Sequence, residues 1–182
     1  MASVAEIETL IARQQIADVI YRYARGIDRL DFDLVRSCYH PDAYDDHGSF
    51  AGNVEGFIAA ASAFLPRWTA TQHFMGNMLI EIEGDCARAE TYAVAYHRRE
   101  DAEGNGKDDV MGLRYVDRFE KRGAWKIAHR VVANEWRRVD QVVGARGRGA
   151  VGVWGRRDGE DVLHWIMGAK PPVANSPGQP TP

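Results

Sequence analysis

The chain has 182 residues, 45% hydrophobic and 27% charged, which fits one globular domain large enough to bury a core and leave room for a pocket. A net charge of -3 and the lack of a long basic tract argue against nucleic-acid binding, since phosphate neutralisation needs clustered Lys and Arg; the Arg-rich stretch 137–157 is the exception. No apolar run approaches the roughly 18 residues that span a bilayer, and residues 1–8 lack the basic and apolar regions of a secretory leader, so a cytoplasmic protein with no membrane partner is expected.

Residues 4–30 place Ile7, Leu10, Ile11, Ile20, Tyr23, Ala24 and Ile27 at helical spacing behind Ser3, an N-cap residue. Residues 31–39 read as a second short helix beginning at Asp31. It stops at His40-Pro41, because the residue before a proline is pushed out of the helical region. A short strand at 43–47, a turn at 48–52 and a third helix at 53–65, ended by Pro66, come next. Four long stretches with strand periodicity follow, at 71–83, 87–100, 109–121 and 125–139. Turn chemistry separates them at Glu83-Gly84-Asp85, Gly104-Asn105-Gly106 and Arg122-Gly123. Helices first and an antiparallel meander afterwards indicate an α+β fold: a cone-shaped α+β barrel whose curved antiparallel sheet is covered on one face by the N-terminal helices, with a cavity between them. The domain is expected over 1–140, a C-terminal extension over 141–170 and a disordered tail over 171–182. Cys38 and Cys86 lack the spacing of a zinc or redox motif and read as buried, unpaired thiols.

Four side chains stand out as chemistry. Tyr23 and Asp28 lie near the end of the first helix, where Gly26 loosens the last turn and Asp28 follows the apolar Ile27. A period of two puts His73 on one face with Met75 and Asn77, and Arg130 on one face with Ala128, Val132, Asn134 and Trp136. A carboxylate bonded to one imidazole nitrogen fixes the tautomer, stabilises the imidazolium and makes the other nitrogen a better base. With Tyr23 at a leaving hydroxyl or a carbonyl oxygen, and Arg130 stabilising negative charge or holding Asp28 ionised, the set supports elimination without metal or coenzyme. Structural roles remain open: Tyr23 as core, Asp28 as a cap or ion-pair partner, Arg130 as that partner.

The run Tyr21-Arg22-Tyr23-Ala24-Arg25-Gly26-Ile27-Asp28, the Gln72-His73 pair before a long strand, and the strand Trp125-Lys126-Ile127-Ala128-His129-Arg130 resemble the SnoaL-like proteins of the nuclear transport factor 2-like superfamily over residues 5–140. Within that group the chain is similar to bile-acid 7α-dehydratase, hexachlorocyclohexane dehydrochlorinase and, more distantly, scytalone dehydratase. The resemblance implies an Asp–His base, with a Tyr or Lys five residues before the Asp and an Arg on a late strand; Asp28, His73, Tyr23 and Arg130 match these positions. It also implies a cofactor-independent lyase of dehydratase type acting on a hydrophobic, ring-containing small molecule such as a steroid or aromatic compound, in a homo-oligomer, dimer or trimer. The alternatives are a carbon–carbon lyase releasing formaldehyde from a lignin-derived aromatic dimer, a ketosteroid-type isomerase that would not need His73, and a non-catalytic ligand-binding or assembly subunit like the dioxygenase small subunit.

Tyr44, Trp68, Phe74, Tyr96, Tyr115 and Trp136, with Phe57 and Phe64, are the aromatic candidates for a substrate-binding wall. His40, Asp42, Asp45, Asp46 and His47 carry metal-ligand chemistry without a recognised metal spacing, and read as a solvated loop. His97 and His129 are expected on the strand faces away from the pocket, and His164 has no assigned place. No phosphate-binding glycine loop or nucleophile elbow supports an NAD, ATP or serine-hydrolase reading. The segment 151–167, with Trp154, Trp165 and Met167, is expected to cover a pocket mouth.

Overall fold

A computed structural model describes residues 2–103, 105–143 and 153–166. Helix α1 (Val4–Arg29) opens with a capping box: the Ser3 hydroxyl accepts from the Glu6 amide, and the Glu6 carboxylate accepts from the Ser3 amide. Its second half buries Ile16, Val19, Ile20, Tyr23 and Ile27. Leu30 ends it in the left-handed conformation (φ 57°), and the Asp31 amide donates to the Gly26 carbonyl, 2.9 Å. Gly26 does not loosen the helix, which continues to Arg29. A Cβ there would lie 2.7 Å from Cγ2 of Val35, so the glycine permits close approach of α2 (Phe32–Ser37), which the Asp31 side chain caps.

Strand β1 (Tyr39–Asp46) starts earlier than Pro41 suggested, and runs through it. After β2 (Ala51–Asn53), Asn53 caps α3 (Val54–Phe64), and a 3₁₀ turn at Leu65–Arg67 carries Pro66. The meander follows as β3 (Ala70–Glu83), β4 (Cys86–Glu100), β5 (Gly106–Arg122) and β6 (Ala124–Val142). The sheet order is β2-β1-β6-β5-β4-β3. The meander is antiparallel as expected, but β1 runs parallel to β6, so the curved, unclosed sheet is mixed. With a helix-containing connection, residues 47–123, between them, β1 and β6 are free to pair in parallel, which a tight hairpin forbids. The α+β cone expected from the sequence is present.

The inward face of β4 carries Ala87, Ala89, Thr91, Ala93, Ala95 and His97, all buried. These small side chains leave space between sheet and helices. Cys38 is buried as expected, whereas Cys86 is exposed. The chain divides into two units, Met1–Arg146 and Gly147–Pro182. In the second, among the described residues, Asp161 accepts from the Leu163 amide at the start of α4 (Val162–Ile166), and Arg156 pairs with Asp158. The tail 171–182 and Met167 lie outside the described residues.

Candidate active site

Asp28 sits on the last full turn of α1, where the helix crosses β3, and its carboxylate is used by β3 three times. The His73 amide donates to Oδ2 (2.8 Å), His73 Nδ1 lies 2.7 Å from Oδ1, and the Thr71 hydroxyl donates to Oδ1 (2.9 Å). Burial alone would raise the Asp28 carboxyl; the His73 and Thr71 hydrogen bonds outweigh it and hold the group below the usual carboxylate range. An ionised carboxylate only accepts, so Nδ1 carries the proton and Nε2 is left as the basic nitrogen. The side chain of His73 is 7% exposed and lines a cavity of about 560 Å3.

That cavity is bounded by α1 through Tyr23 and Ile27, by the β1–β2 turn through His47 and Phe50, and by α3 and the turn after it through Phe57, Phe64 and Trp68. The sheet supplies Ala95, His97, Asp109, Met111, Leu113, Tyr115, Val132, Asn134 and Arg137. Its walls are mostly apolar, with a few polar groups converging, which suits a small organic ligand. Tyr23 is 1% exposed; burial and the neighbouring Tyr115 push its hydroxyl well above the ordinary phenol range, so it is neutral.

Arg130 does reach this region, but from behind the wall. It is fully buried and holds Asp117 with two hydrogen bonds of 2.7 Å, from Nε and Nη2. Its guanidinium carbon lies 4.2 Å from the Tyr23 ring centre and 4.3 Å from that of Tyr115, a cation between two aromatic faces. The carboxylate it grips is therefore Asp117, and the aromatic rings stand between it and the cavity.

Of the aromatic wall expected from sequence, Trp68 and Tyr115, with Phe57 and Phe64, line the cavity. Tyr44, Phe74, Tyr96 and Trp136 do not. Tyr44 packs on His129 (5.0 Å between ring centres), Phe74 is 65% exposed, the Tyr96 hydroxyl donates to Asp108 (2.9 Å), and Trp136 is 51% exposed. The parity of β4 explains Tyr96: the alanines at odd positions face inward, and that puts His97, not Tyr96, at the cavity. A β-bulge explains Trp136. Gly112 pairs with Trp136 and Leu113 with Asn134, so Glu135 is the extra residue and the alternation flips, bringing Arg137 to the cavity. The same device at Gly76-Asn77 puts Asn77 outside and Met78 inside.

Two histidines at the cavity were expected elsewhere. His97 is 4% exposed, 5.4 Å from the His73 ring; burial and the neighbouring His73 push its pKa down to about 4, so it is neutral at physiological pH. His47 and Asp45 were read as part of a solvated loop. Asp45 is fully buried, its carboxylate bonded to His47 Nδ1 and to the Tyr39 hydroxyl (2.6 Å), and His47 Nε2 lies 3.0 Å from the Tyr23 hydroxyl. The other members of that group disperse: His40 to the Glu120 carbonyl, Asp42 to Arg122, Asp46 to the Gly48 amide. Alternation along β1, Ala43-Asp45-His47 after the buried Tyr39, was the available signal. It competed with a composition that reads as loop.

The fold is that of a SnoaL-like domain of the nuclear transport factor 2-like superfamily. The SnoaL-like domain family matches residues 8–131, and the chain belongs to it. A relative from Mycobacterium tuberculosis, the uncharacterized protein Rv2910c, is 28% identical over 135 residues, covering 72% of this chain and 88% of the relative. Among solved structures, a protein assigned as a scytalone dehydratase from Novosphingobium aromaticivorans superposes with a TM-score of 0.65 at 17% identity, over 79% of this chain and 97% of that one. The type-3 hexachlorocyclohexane dehydrochlorinase LinA from Novosphingobium barchaimii gives 0.64 at 19% identity, over 74% and 93%. The Kfla4162 protein of Kribbella flavida gives 0.65 at 20%, over 71% and 95%. At these identities the likeness is one of fold. Among the described residues no helix is long and apolar enough to cross a membrane.

Proposed function

We propose that the chain is a cofactor-independent lyase that removes water, or a comparable small group, from a hydrophobic, ring-containing molecule held in the cavity. The observation that carries this reading is the double grip of Asp28 on His73, which fixes one ring nitrogen as donor and leaves Nε2 as a base at a largely apolar cavity. In the reaction Nε2 takes a proton from carbon, the C–H electron pair becomes the new double bond, and the C–O bond breaks towards oxygen, which leaves with a proton. Asp28 stabilises the imidazolium that forms. Phe57, Phe64, Trp68 and Tyr115 supply flat apolar surface suited to rings.

The same side chains also serve loss of formaldehyde from an aromatic dimer, and one experiment separates these readings. Purified wild-type and His73→Ala protein are offered a panel of hydroxylated steroids and lignin-derived aromatic dimers without added metal, with loss of water or formaldehyde followed by mass spectrometry. Turnover that falls by about a hundredfold or more in the variant supports the lyase, and the mass lost identifies which. Turnover unchanged in the variant removes His73 from the mechanism. No turnover by either protein across the panel returns the chain to a ligand-binding module.

A further inference from the structure

The cavity contains a second Asp–His pair that the proposed base does not use. Asp45 and His47 reach it from the end of β1, on the side occupied by Tyr23. The His47 ring stacks on Phe57 (4.5 Å between centres, 19° between planes), which fixes its orientation. The side chain of Asp45 is 0% exposed and that of His47 22%.

The groups of the buried cluster around the Asp45–His47–Tyr23 chain, in contact with it directly or through one neighbour, can be counted element by element. From α1 comes Tyr23, and from β1 Asp45 and Tyr39. From α3 comes Phe57, with no charge. From β5 come Tyr115 and Asp117, and from β6 Arg130. Within this buried cluster Asp45 and Asp117 are carboxylates and Arg130 is one cation, which gives Asp117 two hydrogen bonds of 2.7 Å and the Tyr39 hydroxyl a longer one of 3.5 Å. A carboxylate removed from water needs a countercharge as well as hydrogen bonds. Tyr39 supplies only a neutral donor to Asp45. The cluster is neutral when His47 carries both ring protons.

That charge state sets the direction of the hydrogen bonds. With Nδ1–H given to Asp45, Nε2–H is given to the Tyr23 oxygen at 3.0 Å, and the phenol proton is then free to be donated elsewhere. Tyr23 lines the cavity. The pair Asp28–His73 therefore ends in an acceptor, and the chain Asp45–His47–Tyr23 ends in a donor.

We propose that Asp45, His47 and Tyr23 form a proton-donating relay that recognises an oxygen atom of the ligand and protonates it as it departs. The step deepens the lyase reading and rests on it for the chemistry. The Tyr23 O–H proton passes to the leaving oxygen, which takes the C–O electron pair, and the His47 Nε2 proton passes to the Tyr23 oxygen. His47 ends neutral and His73 ends protonated; each resets by exchanging one proton with water. Tyr23 is the catalytic residue of the relay, and His47 and Asp45 position and polarise it.

The recognition half can be tested without turnover. A carbonyl oxygen only accepts, so the acceptor Nε2 of His73 cannot bind it, whereas the Tyr23 hydroxyl can. Binding of 2-acetylnaphthalene is compared with that of 2-isopropenylnaphthalene, which replaces C=O by C=CH2 at nearly the same shape, by titration calorimetry. Wild-type protein is expected to prefer the ketone by roughly fivefold to tenfold, the scale of one hydrogen bond between neutral groups. Tyr23→Phe and His47→Leu are each expected to erase the preference, and His73→Ala to keep it. If His47→Leu does not fold by circular dichroism, Tyr23→Phe decides. A preference retained in Tyr23→Phe overturns the proposal by assigning the oxygen to Asn134 or Arg137. Equal loss of affinity for both ligands in His47→Leu, or binding of neither ligand by folded wild type, also overturns it. A preference that obeys these rules in a protein with no turnover would sink the lyase and leave the donor site standing; His73-dependent turnover without the preference would do the reverse.

Discussion

His97 illustrates what burial does to one residue beside the site. Its folded pKa of about 4 lies below the 6.5 of an exposed histidine, through burial and the neighbouring His73. The unfolded chain binds the proton first, so this contribution to stability is complete above pH 6.5 and is lost as the pH falls towards 4. The gap corresponds to about 3 kcal/mol. Asp28, whose folded carboxyl is held below its usual value, adds loss of the same sign at lower pH. Thermal melts should therefore show the midpoint dropping between pH 6.5 and 4 in the wild type and dropping less in His97→Gln. Parallel pH profiles for the two proteins would mean that His97 is not kept neutral by its surroundings. At this scale local pattern, a carboxylate after an apolar helical residue and a histidine at the start of a strand, together with the family resemblance, pointed to Asp28, His73 and Tyr23, which the structure brings to one cavity region. The sequence concealed His47 and His97. The first stood in a run rich in Asp and His, and the second needed the parity of β4, which the alanines at 87, 89, 93 and 95 encode.

At the scale of elements, the helices and the four meander strands were legible to within a few residues, because apolar periods of 3.6 and 2 and the turn residues between them mark the ends; β2 falls where the sequence reads as a turn. Side-chain direction past a bulge was not. Bulges at Gly76-Asn77 and opposite Gly112 depend on pairing with a neighbouring strand, which a single strand's alternation cannot report. The parallel pairing of β1 with β6 is hidden for the same reason. Gly112 shows the packing consequence: the Trp136 indole lies across the glycine, and a Cβ there would collide with its Nε1. Gly112→Ala should cost about 1–3 kcal/mol, measured by urea unfolding, and much less in a Trp136→Ala background. A full cost in both backgrounds would place the strain in the strand itself and not under the indole.

At the scale of the whole molecule, the cone brings together residues far apart in sequence: Asp28 from α1, His47 from the β1–β2 turn, Trp68 from the turn after α3, and His73, His97, Tyr115 and Asn134 from four neighbouring strands. The fold class followed from helices preceding a meander, whereas the cavity's composition followed from curvature and register. Arg130 is the clearest case. Its match to a site position was legible, but its place behind Tyr23 and Tyr115, paired with Asp117, is a property of the packed molecule. The proposed chemistry requires His73 to act as a carbon base at an apolar cavity. The most direct test is deuterium uptake from D2O into 1-tetralone at the carbon beside its carbonyl, read by mass spectrometry, because exchange there needs a base but no leaving group. Wild-type protein should accelerate uptake above buffer, and His73→Ala should remove most of that acceleration, by about a hundredfold or more; equal uptake with the two proteins would contradict the assignment of His73 as the base.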